Sequence, residues 1–138
     1  MYKLCIIIFT LFGYTVWSQQ YNPQITHFTQ KDYGDSCHLQ NVSLCQGKNG
    51  LMYFGNNLRI LEYDGVYWNA IRIPVKGGFV TALTSTTHDS LIYVGANAEF
   101  GYLTKNNLGQ TQYYSLVSKL SKEDKNIGRI WKVLSWGE

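Results

Sequence analysis

One segment of this chain occurs twice, and that repetition limits what the chain can fold into. Leu51-Met52-Tyr53-Phe54-Gly55-Asn56-Asn57 returns forty residues later as Leu91-Ile92-Tyr93-Val94-Gly95-Ala96-Asn97, with Leu, Tyr, Gly and Asn at matching places. A period near forty carried on short β-like runs is the spacing of one propeller blade. A single blade cannot bury both of its faces, so the repeat implies stacked sheets. It also implies that this stretch spans only part of a ring.

The first residues are set apart from that pattern. Met1-Tyr2-Lys3 is a short basic start, Leu4 to Trp17 is apolar and uncharged, and Val16-Trp17-Ser18 precedes a cut before Gln19. This is the layout of a signal peptide over residues 1–18. The run is shorter than the roughly 20 apolar residues a spanning helix needs, and Cys5 stands too early for a lipoprotein signal. The expected localisation is therefore exported and periplasmic. The remainder is rich in Tyr and Trp, which suit strands, and in Gly and Asn, which suit the turns between them, so the composition points to β-structure. A net charge of only +3, with Lys and Arg scattered among Asp and Glu, gives no basic stripe and no footprint for nucleic acid. Cys37 and Cys45 remain after export. They either pair in an oxidising compartment or stay apart, Cys37 in a loop and Cys45 as a small apolar strand residue.

The turn signals divide the chain further. Residues 19–37, polar and irregular, read as a lead-in. Strands are expected at Val42–Cys45, Leu51–Gly55, Arg59–Tyr63 and Val66–Ile73, separated by the Gln46–Gly50 cluster, Asn56-Asn57 and Asp64-Gly65. The pattern restarts with strands at Val80–Thr84, Leu91–Gly95, Phe100–Leu103 and near Gln112–Leu116, with turns around His88-Asp89 and Asn106-Asn107. Ser118 to Asn126 is a charged connection with room for a helical turn, and Ile130–Leu134 reads as the first strand of a third blade. The expected fold class is all-β: antiparallel four-stranded blades of a β-propeller, blade one over about 38–75, blade two over about 79–117, and the start of blade three over about 127–138, an incomplete ring. The open sheet face and the unpaired strand at Ile130–Leu134 make an aggregation-prone edge.

Several strings carry a family resemblance. HFTQKDYG followed by GLMYFGNNLRILEYDGVYWNAI resembles the opening blade of the two-component regulator propellers of Bacteroidetes-type exported sensors. ANAEFGYL with YYSL, and then GRIWKVLSWGE, resemble a second blade and the start of a third. The likeness covers nearly all of the chain after the leader. Asn41-Val42-Ser43 departs from it, because such proteins commonly carry an aromatic residue early in this strand. In that family the propeller precedes a triple-tyrosine β-sandwich, a membrane helix and a cytoplasmic output module. The resemblance thus implies an extracytoplasmic ligand-sensing segment of a signal-transduction receptor, with membrane contact only through the leader or a downstream helix.

In an up-and-down blade the loop between strands two and three shares a face with the connection between blades. That reasoning nominates Asn56, Asn57 and Arg59 from blade one and Asn97 and Glu99 from blade two as ligand-binding candidates, edged by Pro74 to Gly78. Amides, a guanidinium and a carboxylate suit a carbohydrate or other small polar ligand, with Phe100 and Trp131 available to stack on sugar rings. The competing reading of Asn57 and Asn97 is conformational, since Asn tolerates left-handed turn positions, and Arg59 and Glu99 have a plain reading as solvated charges. His27, His38 and His88 stand alone with no nucleophile motif. No acid–base pair, phosphate loop or metal-binding spacing appears, so the expectation is a non-enzymatic chain without a cofactor. The alternatives are a segment of an exported propeller lyase or hydrolase acting on polysaccharide, or of a protein-interaction propeller.

Overall fold

In the computed structural model, residues 23–75, 77–86 and 90–136 are described. The expected leader, Lys76 of the linker and the His88-Asp89 turn lie outside them. The fold is all-β. Strands β1 (Ser43–Gln46), β2 (Met52–Gly55), β3 (Arg59–Tyr63) and β4 (Trp68–Arg72) form one antiparallel sheet in chain order. Strands β5 (Ala82–Ser85), β6 (Ile92–Ala96), β7 (Glu99–Lys105) and β8 (Thr111–Ser115) form a second sheet of the same kind. Each expected strand of the two blades is present, shifted by a residue or two at most ends and trimmed at both ends of β4.

Short polar side chains fold the turns by bonding their own backbone. Asp64 Oδ1 accepts from the amides of Val66 and Tyr67 at 2.8 and 2.6 Å. Asn106 Oδ1 accepts from those of Leu108 and Gln110, both at 2.9 Å. The bonds from Tyr67 and Val66 hold the exposed Asp64 carboxyl below its ordinary range.

Alternation along the strands then sets what each face meets. Tyr53, Gly55, Ile60 and Ile71 point from the first sheet toward the second, where Ile92, Val94, Ala96 and Leu103 receive them. Ile60, Ile92, Val94, Ala96 and Leu103 are essentially inaccessible to solvent, and each large aliphatic among them contributes about 1.5–3 kcal/mol on burial. The sheets lie closest at their first strands, β1 against β5, and β4 approaches β8 at the outer edge. Two polar stitches cross the gap: Ser43 Oγ donates to Val80 O at 2.8 Å, and Thr111 Oγ1 donates to Glu62 Oε2 at 2.6 Å.

The residues before β1 are more than a lead-in. Helix α1 (Gln30–Tyr33) is a single turn opened by Thr29 and Asp32, whose backbone and carboxylate bond each other reciprocally. It places Tyr33 and Cys37 on the far face of the first sheet, where they bury Leu61. Phe28 adds edge-on contacts to Tyr63 and Trp68 at 5.2 and 5.1 Å. The sheet thus stands between the two described cysteines. Cys37 belongs to this far cluster and Cys45 packs against the core between the sheets, so both thiols are free.

After β8 come a 3-10 turn at Val117–Lys119, overlapping the start of the connection expected to allow one, and a loop to Gly128. The strand expected at Ile130–Leu134 does not form. A single bridge, Asn97 with Arg129, marks its start. A strand acquires a ladder only from a neighbour it can pair with, and this segment has one contact of that kind.

Among the described residues, three groups between the sheets titrate above their ordinary range. Burial pushes the Cys45 thiol up to about 11 and the Tyr53 phenol up to about 12. The Tyr113 phenol is raised further, by burial and then by its bond to Glu99. Each folded value lies above the ordinary one, so the stability these groups contribute is complete below the ordinary values and is lost as pH climbs through the raised ones. Urea midpoints should stay level from neutrality to about pH 9, where free thiols begin to titrate, and fall beyond it toward about pH 11. A midpoint that stayed level to about pH 11 would sink this account.

Candidate functional site

The β2–β3 and β6–β7 hairpins close the same end of the two sheets, and the chain passes from blade one to blade two at that end. Asn57 bridges Phe79 in the connection, and Asn97 bridges Arg129 in the next one. The detail repeats atom for atom. Leu58 N donates to Gly78 O and Ala98 N to Gly128 O, both at 3.2 Å. Val80 N donates to Asn56 O at 3.0 Å, and Ile130 N to Ala96 O at 3.1 Å. Each hairpin is thus a cradle for the connecting segment that follows its own sheet.

The left-handed residues of these hairpins are Leu58, at φ +58°, and Ala98, at φ +53°, one position after the asparagines. The conformational reading of Asn57 and Asn97 is therefore corrected. A side chain in this region costs roughly 1–2 kcal/mol. Replacing exposed Ala98 by Gly removes the strain at the expense of unfolded-chain entropy. Ala98→Gly should raise stability by about 0.5–1 kcal/mol, read as a higher thermal midpoint; an unchanged or lower midpoint would count against it.

The five candidates do not share one site. Asn56 is completely buried. Its Nδ2 donates to His38 O at 2.7 Å, Asn41 Oδ1 at 2.7 Å and Gln40 O at 3.2 Å, while Oδ1 accepts from the amides of His38 and Asn57, both at 2.8 Å. It fastens the segment before β1 to the hairpin, and no group is left for a ligand. Asn57 is half-buried, and its Oδ1 is enclosed without a partner. Arg59 stands opposite Arg72 on the face of the first sheet that turns away from the second.

Asn97 and Glu99 do come together. Both line a cavity of about 290 Å³ with Pro74 and Val75 of the connection, Ala98, Val117 and Lys125. Asn97 Nδ2 reaches Gly77 O at 3.5 Å, the outer limit of a hydrogen bond. Glu99 is only 7% exposed and so is no solvated charge. Its Oε1 accepts from Ser115 Oγ at 2.6 Å and Tyr113 Oη at 2.8 Å. Tyr113 and Ser115 were not foreseen as site residues; they reach Glu99 because alternation places all three on one face of the β7–β8 ladder. Neither aromatic expected to stack on a sugar lines this cavity. Phe100, next to Glu99 in β7, points to the opposite face of the sheet, and Trp131 lies 70% exposed beneath the Arg129 guanidinium at 4.9 Å.

Two other hollows lie toward the far ends of the strands. One, of about 230 Å³, includes Asn49, Tyr53 and Thr111; a more open one, of about 450 Å³, includes Glu62, Asn69 and Gln112. Glu62 is satisfied there by Thr111 and Asn69. Among the described residues, no group of three or more His, Cys, Asp and Glu is placed to hold a metal ion, and no helix is long and apolar enough to cross a membrane. Comparison with protein families, with curated proteins and with solved structures finds no match to this chain.

Proposed function

We propose that these residues are the opening blades of an exported β-propeller that senses a small polar ligand for a signal-transduction receptor, without catalysing a reaction. The observation that carries the ring is the repeated cradle. Gly128–Ile130 seats on the Asn97-Ala98 hairpin as Gly78–Val80 seats on Asn57-Leu58, and a rule that places blade two after blade one would place a third after the second. Tyr93 supports the same reading. It occupies in β6 the place Tyr53 holds in β2, yet Tyr53 is 3% exposed beneath the next sheet while Tyr93 is only half covered.

The ligand end is the hairpin face, because the cavity at Glu99 opens beside the connection between blades. A bound molecule there would touch the Pro74-Val75 linker and the β6–β7 hairpin at once, so occupancy would bear on how the second sheet is held to its connection. The family resemblance supplies the consequence, a signal passed inward to a transcriptional output. The test is made on the native receptor in the cell that produces it. Deleting residues 38–136 should abolish inducer-dependent transcription, whereas a response that survived the deletion would place sensing elsewhere.

A further inference from the structure

We propose that the cavity at Glu99 takes a small aliphatic zwitterion, an amino acid with a branched side chain, in place of a sugar; this rests on the ligand-binding reading of the hairpin face. The first observation is a buried carboxylate that takes its hydrogen bonds on one oxygen only. Glu99 is more than nine-tenths buried, and its bonds from Tyr113 and Ser115 both end on Oε1. Among the described residues no hydrogen-bond donor reaches Oε2, and Glu99 itself is part of the cavity wall. A carboxylate withdrawn from water is costly until a donor or cation meets it, and hydroxyl donors on one oxygen fix the orientation of the other.

The second observation is the rest of the wall. Lys125, an exposed residue, also lines this cavity. A ligand must therefore satisfy an anion and a cation together, which an ammonium group and a carboxylate on one small molecule do. Pro74, Val75, Ala98 and Val117 supply aliphatic surface between them. Binding sites for small molecules commonly combine apolar walls with a few placed polar groups. No aromatic residue lines the cavity to stack on a sugar ring.

Equilibrium dialysis of the full chain against radiolabelled L-leucine tests the assignment. Saturable leucine binding is expected. It should weaken tenfold or more when 4-methylvalerate replaces leucine, removing the ammonium group, and likewise in Glu99→Gln. Exposed Lys125→Gln carries little folding risk, and it should weaken leucine while sparing 3-methylbutylamine, which has no carboxylate. Absence of leucine binding, or leucine binding unchanged in both variants, would overturn the proposal. Galacturonate binding that depended on Glu99, without leucine binding, would overturn the ligand class and leave the hairpin face standing as a sensing site.

Discussion

Asn56→Ala should lower global stability by about 3 kcal/mol and should first release the segment that precedes β1. The side chain meets three oxygens and two amides at once, and none of those partners has another bond of comparable quality within the hairpin. Leaving a buried donor or acceptor unsatisfied costs about 1–3 kcal/mol, and two or three such groups would be stranded with only partial rescue by water. The repeat contains its own control. The matching residue in blade two is Ala96, also fully buried, and no segment is fastened there by a side chain. The alanine is thus tolerated by the hairpin, and the loss falls on the anchored segment. Cys37, which belongs to that segment and is 3% exposed where it packs on the first sheet, reports that opening. Alkylation of Cys37 in Asn56→Ala should accelerate in conditions where the sheets remain folded, while Cys45, between the sheets, stays protected. Equal acceleration of both thiols would mean that the segment has no separate opening.

The strands were legible because each turn has its own chemistry. Asp64-Gly65, Asn106-Asn107 and the Gln46–Gly50 cluster punctuate the chain where the hairpins turn, and β3 runs from Arg59 to Tyr63 as its flanking turns predict. The segment before β1 was not legible. Four helical residues have no period, and Phe28, Tyr33 and Cys37 stand at irregular intervals among polar neighbours. Their common purpose, covering Trp68 and Leu61, exists only once β3 and β4 are folded. Trp68 Nε1 is enclosed there with no acceptor, which marks the cluster as packed for its ring faces.

The site shows the same division. The repeat locates the hairpins, but it does not tell Asn56 from Asn57, since two adjacent asparagines carry no sign of which one is swallowed. Parity does help with the charges. Counting in twos from Ile60 and Tyr53 puts Arg59 with Leu61 on the face away from the second sheet. The same count from Val94 and Ala96 puts Glu99 with Gly101 and Leu103 against the first. Arg59 and Glu99 therefore stand on opposite sides of the first sheet although they match in the repeat. Each lies on the face toward what precedes its own sheet, which among the described residues is the first sheet for Glu99 and the α1 segment for Arg59.

The other large effect is expected at Gly55. A methyl group added there would run into the Val80 carbonyl and Ser43 Oγ, with Val80 Cβ at 3.1 Å behind them. Val80 O already accepts the Ser43 hydroxyl and belongs to the segment seated on the Asn57-Leu58 hairpin, so it has no free direction in which to retreat. Gly55→Ala must push the second sheet outward, opening contacts among Ile60, Val80 and Val94. Overpacking typically costs about 1–3 kcal/mol, and a rigid backbone obstacle places this substitution at the top of that range. Gly95, its repeat partner, supplies the comparison. A methyl group there meets the Cγ2 atoms of Ile130 and Val133, at 2.6 and 3.0 Å. Ile130 Cβ follows at 3.1 Å, but these are side-chain atoms on an exposed segment, held by the Asn97–Arg129 bridge and the Thr81 hydroxyl on Ile130 O, which can shift more readily than the Val80 carbonyl. Gly95→Ala should therefore cost about 1 kcal/mol or less. Urea unfolding of the two variants should differ accordingly, with the midpoint of Gly55→Ala much the lower. Equal midpoints would mean that the spacing between the sheets is not set by the absence of a side chain at Gly55.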